Sequence, residues 1–368
     1  MKRAFLSARA AALFDLLKQA FSWLGRPVIA FLLLLSVAAH AGEVRAGEVR
    51  ASTAGILNIY SHRQPFLVQP VLDAFTARTG IETRMVYANE GLAERLEMEG
   101  PSSPADLILT VDIARLSVYA EKGLLAPVTS PVLEAAIPAH LRSPDKDWFA
   151  FSKRARVIAV SKDRVADGAI SRIEDLAKPD WQGRICTRKG SHVYNRALLA
   201  SIIAAHGEAE ALQWTRALVG NLARKPQGND RAQAKAIWQG QCDVAIMNHY
   251  YYGVMLRSEE AEQQQWAAAI KLVFPNQADR GHHVNISGGG IAKYSRNKAA
   301  AQRLLEFLVS EEAQMLYAKL NYEYQVTPAV PLPAELAQWG QTKEDQLPIA
   351  RIAALSPVAQ RIINQTGW

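Results

Sequence analysis

Short apolar runs alternate with amphipathic segments along most of this chain, and that rhythm narrows the possible folds more than any other feature. Leu57-Asn58-Ile59-Tyr60-Ser61 reads as a strand. Leu67, Val71, Leu72 and Phe75 then recur at helical spacing up to the stop Thr79-Gly80. Residues 81–87 read as strand, 92–98 as a short charged helix, 106–111 as a buried strand and 113–120 as helix, with Gly123 as its stop. A proline-rich break over 127–144 and a long extended run over 148–161 follow. A second alternating unit starts near Ser171, with strand 184–187, helices 196–205, 208–218 and 231–239, and a strand over 242–249. Alternation of this kind predicts an α/β fold with largely parallel sheets. Two such units joined by extended crossings near 151–160 and 279–292 predict a bilobal clamshell with hinge strands between its lobes. A ligand then binds in the cleft, at the carboxyl ends of the strands.

The ends of the chain set its boundaries. Lys2, Arg3, Arg9, Lys18 and Arg26 precede the apolar run 27–38, and Ala39-His40-Ala41 is a small-x-small cleavage site. Residues 1–41 therefore read as an export signal, with an apolar run too short to span a bilayer comfortably. The expected location is the periplasm. Residues 42–55, including the repeat AGEVRAGEVR, read as a disordered leader. Removing 1–41 takes five basic residues and one acidic residue, leaving 37 basic against 34 acidic residues, and the net charge falls from +7 to +3. That balance carries no basic run of the kind nucleic acid requires, and no second stretch approaches membrane length. The remaining 327 residues exceed what one core usually holds. The expected division is lobe 1 over 56–152 and 287–330, lobe 2 over 153–286, and a C-terminal helical segment over 331–368, in a monomer.

Candidate chemistry centres on tyrosine. Tyr250, Tyr251 and Tyr252 stand directly behind the strand-like run 242–249, and Tyr194 precedes a predicted helix. Phenolate is a hard oxygen ligand, suited to a hard cation such as Fe³⁺, and three phenolates cancel its charge. Taken alone, the four tyrosines read equally well as boundary residues with satisfied hydroxyls. His192, His249, His282 and His283 fit no zinc spacing. Ser287-Gly288-Gly289-Gly290 has no following Lys-Ser/Thr, so it is no phosphate loop, and it reads as a hinge that bends. No G-x-S-x-G or H-E-x-x-H is present, and no enzyme is implied. Cys186 and Cys242, each near the end of a strand-like run, are a disulfide in an oxidising compartment or two buried free thiols.

Several stretches, in order over about 56–330, resemble the periplasmic ferric-iron-binding proteins of bacterial ABC transporters. They are Ile59-Tyr60-Ser61-His62-Arg63-Gln64-Pro65, Ser103-Pro104-Ala105-Asp106, Arg154-Ala155-Arg156-Val157, Ser191-x-x-Tyr194-Asn195, Asn248-x-Tyr250-Tyr251 and His283-Val284-Asn285-Ile286-Ser287-Gly288. Leu304–Leu308, Glu311–Gln314 and Asn321–Tyr324 complete the set. The resemblance implies a two-lobe protein that closes on one Fe³⁺ as transported ligand and hands it to an inner-membrane ABC permease. It implies Tyr250 and Tyr251 as iron ligands and Tyr194 as a third, with Tyr252 left to packing. The sequence departs from the family in the first lobe, where Gln64 and Pro65 stand at positions that hold histidine and tyrosine in many members. Either His62 substitutes there, or water or a small anion completes the shell; Asp112 reads as a ligand of that lobe or as a helix cap. Arg154 and Arg156 lie where some relatives hold a synergistic, carbonate-like anion, and they read equally as structural ion pairs. The same fold also serves organic solutes such as polyamines or phosphonates, which is the alternative reading.

Overall fold

A computed structural model describes residues 55–368. The export signal and all but the last residue of the leader lie outside the described residues. Nine strands occur among those described: β1 Leu57–Ser61, β2 Thr83–Tyr87, β3 Leu107–Thr110, β4 Leu125–Ala126, β5 Phe149–Ser161, β6 Ile185–Cys186, β7 Val244–Asn248, β8 Ile270–Val273 and β9 Val284–Ala292. β1 and β3 are buried and apolar because partners cover them on both sides, whereas β2 alternates between half-buried and exposed positions as an edge strand does.

The strand order is β2-β1-β3-β9-β5-β7-β6, with β4 also paired to β9 and β8 to β5. The pairing is mixed, which corrects the expectation of largely parallel sheets. Only β1 with β2, β1 with β3 and β6 with β7 run parallel. The two long strands run against their neighbours. β5 serves both halves of the molecule: Phe149–Ala155 pairs with β9, and Arg156–Val160 pairs with β7. The change of partner falls between Ala155 and Arg156, and a register shift between Ala150 and Ser152 precedes it.

The glycine run lies inside the sheet. Gly288, Gly289 and Gly290 are buried in β9, paired with β3 on one side and, through Gly288 and Gly289, with β5 on the other. A Cβ at Gly289 would run into the carbonyl of Ile108, and one at Gly290 into the carbonyl of Asp147. The glycines are there for close approach of backbone to backbone. Gly289→Ala is therefore expected to lose at least about 1–3 kcal/mol of stability, the usual cost of overpacking, read as a lower midpoint in urea unfolding.

The second half carries the elements that matter most for chemistry. β6 and β7 lie side by side, and Cys186 is disulfide-bonded to Cys242, with Cα atoms 5.9 Å apart across a sequence separation of 56. Closing a loop of that size stabilises by about 4 kcal/mol on the chain-entropy account. Helix Ile349–Thr366, in the tail, packs on helices Val193–His206 and Glu208–Gly220 and on Ile113–Glu121 from the first half. No helix among the described residues is long and apolar enough to cross a membrane.

Candidate metal centre

Two chain segments leave the β6–β7 pair in the same direction. From β6 the chain passes through Thr187–His192 into helix Val193–His206. His192 caps that helix, its Nδ1 accepting from the Tyr194 N–H at 3.3 Å. From β7 the chain turns at His249 into helix Tyr250–Leu256. Successive helix positions are about 100° apart, so three adjacent tyrosines cannot share a face. Tyr250 and Tyr251 line the cavity, while Tyr252 packs against Trp339 with ring centroids 6.5 Å apart.

The phenols converge. The Tyr250 hydroxyl lies 3.4 Å from that of Tyr194, and the Tyr250 and Tyr251 rings are 4.3 Å apart. All three line a cavity of about 440 Å³, whose other wall includes His62, Gln64, Phe66 and Arg115 from the first half. Burial pushes the Tyr250 phenol well above its ordinary value, and Tyr194 and Tyr251 push it further, against an opposing pull from Arg154. Tyr251 is raised too, chiefly by burial. These two phenols are therefore neutral near pH 7.

Two histidines, His62 and His192, line the cavity. His62 lines the cavity, but both ring nitrogens are engaged: Nδ1 lies 2.9 Å from the Ala88 carbonyl and Nε2 2.8 Å from the Tyr119 hydroxyl. A carbonyl only accepts, so Nδ1 carries the proton, and the Nε2 lone pair is taken by the tyrosine. Gln64 stays at the exposed start of helix Pro65–Thr79. His249 is buried, stacks on Tyr324 and accepts from the Ala155 N–H at 3.1 Å; burial pulls it down to about 3. Asp112 caps helix Ile113–Glu121 and accepts from Asn285 at 2.7 Å. No group of three or more His, Cys, Asp or Glu side chains among the described residues is arranged to hold a metal ion.

Arg154 and Arg156 take different places relative to the cavity. Arg156 is buried and does not line the cavity. It pairs with Asp230 and donates to Asn248 at 3.0 Å and Asn195 at 2.5 Å, while its Nε finds no partner among the described residues. Arg154 lines the cavity but donates to the Ile286 carbonyl, to Ser287 at 3.0 Å and to Glu323 at 3.3 Å. Each pairs with a buried carboxylate, Arg154 with Glu323 and Arg156 with Asp230. Arg115 and Arg188, which sequence reasoning passed over, also line the cavity. Arg188 pairs with Asp230 at 3.1 Å and lies 5.4 Å from the centre of the Tyr194 ring; Arg115 has no ion pair among the described residues. Neither lay in a motif, and only the fold brings them here.

Comparison with known proteins gives the family. Residues 60–315 match the model for bacterial extracellular solute-binding proteins. The chain belongs to that family. This solute-binding protein is 43% identical over 313 residues to Iron uptake protein A1 of Synechocystis, covering 85% of this chain and 87% of that one. Its fold superposes on a Trichodesmium protein, IdiA or FutA, in complex with iron and citrate ligands. The TM-score is 0.82 at 42% identity, over 85% of this chain and all of the other. It also superposes on Mannheimia haemolytica ferric iron-binding protein A in an open conformation, with a TM-score of 0.80 at 43% identity, over 85% and 99% of the two chains. The architecture is the two-lobe α/β fold of such proteins.

Proposed function

We propose that this solute-binding protein captures ferric iron in its interlobe cleft, in the periplasm, and delivers it to an inner-membrane ABC permease without catalysis. Tyr194, Tyr250 and Tyr251 are the ligands in this reading. The observation that carries it is the meeting of three phenols, from two separate segments, in one cavity with no free carboxylate. Glu323, the only acidic residue lining that cavity among the described residues, is paired with Arg63. A polyamine would meet a wall of arginine there. A trivalent cation instead displaces the phenol protons and takes three phenolates that cancel its charge.

The lobes in this reading are 56–152 with 287–330, and 153–286. All three tyrosines lie in the second, which holds the ion while the first closes over it. With the His62 lone pair occupied, the first lobe supplies no imidazole. A small carbonate-like anion beside Arg115 completes the shell, since that guanidinium lines the cavity without a protein counter-charge. The names of the similar proteins, iron uptake and ferric iron binding, point the same way. Titration of metal-free protein with ferric citrate tests the reading: a visible phenolate-to-iron charge-transfer band is expected to saturate at one equivalent. Absence of any band rejects it in favour of an organic solute such as a phosphonate.

A further inference from the structure

We infer that Asp230 is the positioning residue that sets the geometry of the tyrosine ligands, acting from behind the site on both segments that carry them. The inference rests on the reading of Tyr194, Tyr250 and Tyr251 as the iron site. Asp230 opens helix Asp230–Trp238, where an acidic side chain ordinarily stays in water and complements the helix dipole. Here Asn229 does the capping, its Oδ1 accepting from the Ala232 N–H at 3.0 Å. Asp230 turns inward instead and is 0% exposed.

Its two carboxylate oxygens are filled from three sides. Oδ2 accepts from Arg156 and from the Asn248 N–H at 2.8 Å, and Oδ1 accepts from Arg188 at 3.1 Å. Asp230 is therefore no ligand; the cavity lies beyond its partners. One branch runs through Asn248, whose backbone it holds and whose side-chain amide lies 3.4 Å from the Tyr250 hydroxyl. The other runs through Arg156 to Asn195, the residue after Tyr194. Asn195 in turn donates to Thr187 at 3.1 Å and to the Arg188 carbonyl at 3.0 Å, tying the loop that leads to Tyr194. Arg156 and Arg188 also lie 5.9 and 5.4 Å from the Tyr194 ring centre. One buried carboxylate thus fixes two arginines and, through them, both tyrosine segments. A site held by outer partners of this kind is sensitive to them, typically by about 10–100-fold in metal affinity.

The test compares wild type, Asp230→Asn, Asn248→Ala and Asn195→Ala, with ferric citrate as the probe. A wild type without a charge-transfer band would sink the iron reading itself, and the variants would not be needed. With the wild-type band in hand, Asp230→Asn that melts cooperatively is expected to bind iron about 10–100-fold more weakly, with the band maximum displaced. A role confined to folding would leave the band of the folded fraction in place. Should Asp230→Asn not fold, Asn248→Ala and Asn195→Ala each cut one branch while keeping the Asp230–Arg156 pair. Each is expected to shift the band and weaken binding. Wild-type band position and affinity in folded Asp230→Asn, or in both asparagine variants, would overturn the inference.

Discussion

Tyr250→Phe combined with Tyr251→Phe is expected to abolish the visible band and to weaken ferric binding by more than the ~100-fold upper figure for a change outside the ligand shell. Two of the three phenol oxygens disappear, while the rings keep their volume and their packing. Tyr252→Phe is the matched control. That ring faces Trp339 and does not line the cavity, so its loss of a hydroxyl is expected to leave band and affinity unchanged. A double variant that keeps the band would move the site away from these residues.

The second large effect lies at the junction of the halves. Glu323 is buried and bridges Arg63, at 2.5 Å, and Arg154, at 3.3 Å. Ser152 donates to it at 3.0 Å, and Ser287 accepts from both arginines. Arg63 follows β1, while Arg154 and Ser287 lie in β5 and β9, so one carboxylate joins a cavity loop to both long strands. Glu323→Ala strands two buried guanidinium groups and is expected to cost about 3–5 kcal/mol in chemical denaturation. Burial alone would raise the Glu323 carboxyl, but Arg63, its hydrogen bonds and then Arg154 outweigh that and hold it below the ordinary range. A folded-state value below the unfolded one gives stability that is complete above about pH 4.3. It is lost as pH falls through the depressed value. The wild type should therefore lose stability on acidification more steeply than Glu323→Ala, and equal slopes would show that the carboxylate is not charged in the fold.

Much of this was legible from residue order. Apolar spacing placed most helices and strands, because those elements bury one face and carry its period. The long run 148–161 stood out as a crossing, and β5 does pair with strands of both halves. The phenols stood out because three adjacent tyrosines cannot all pack inward. What escaped was pairwise in space. Strand direction depends on where a partner lies, so the antiparallel course of β5 and β9 could not be read from their own residues. The glycine run looked like flexibility because nothing in it reveals the carbonyls of Ile108 and Asp147 pressed against it. The partners of His62 and the two arginines, Tyr119, Glu323 and Asp230, are distant in sequence, so residue order left their roles open. Asp230 stands just before the predicted helix 231–239, and nothing in its own position reveals its buried partners.

The central claim is that one ferric ion sits on the oxygens of Tyr194, Tyr250 and Tyr251. A crystal structure of the iron-loaded protein, with anomalous data at the iron edge, tests it most directly. A single anomalous peak is expected in the cavity, with those three oxygens in its coordination shell and His62 still bonded to Tyr119. A peak outside the cavity, or iron held by His62 or Gln64 with Tyr194 turned away, would contradict it.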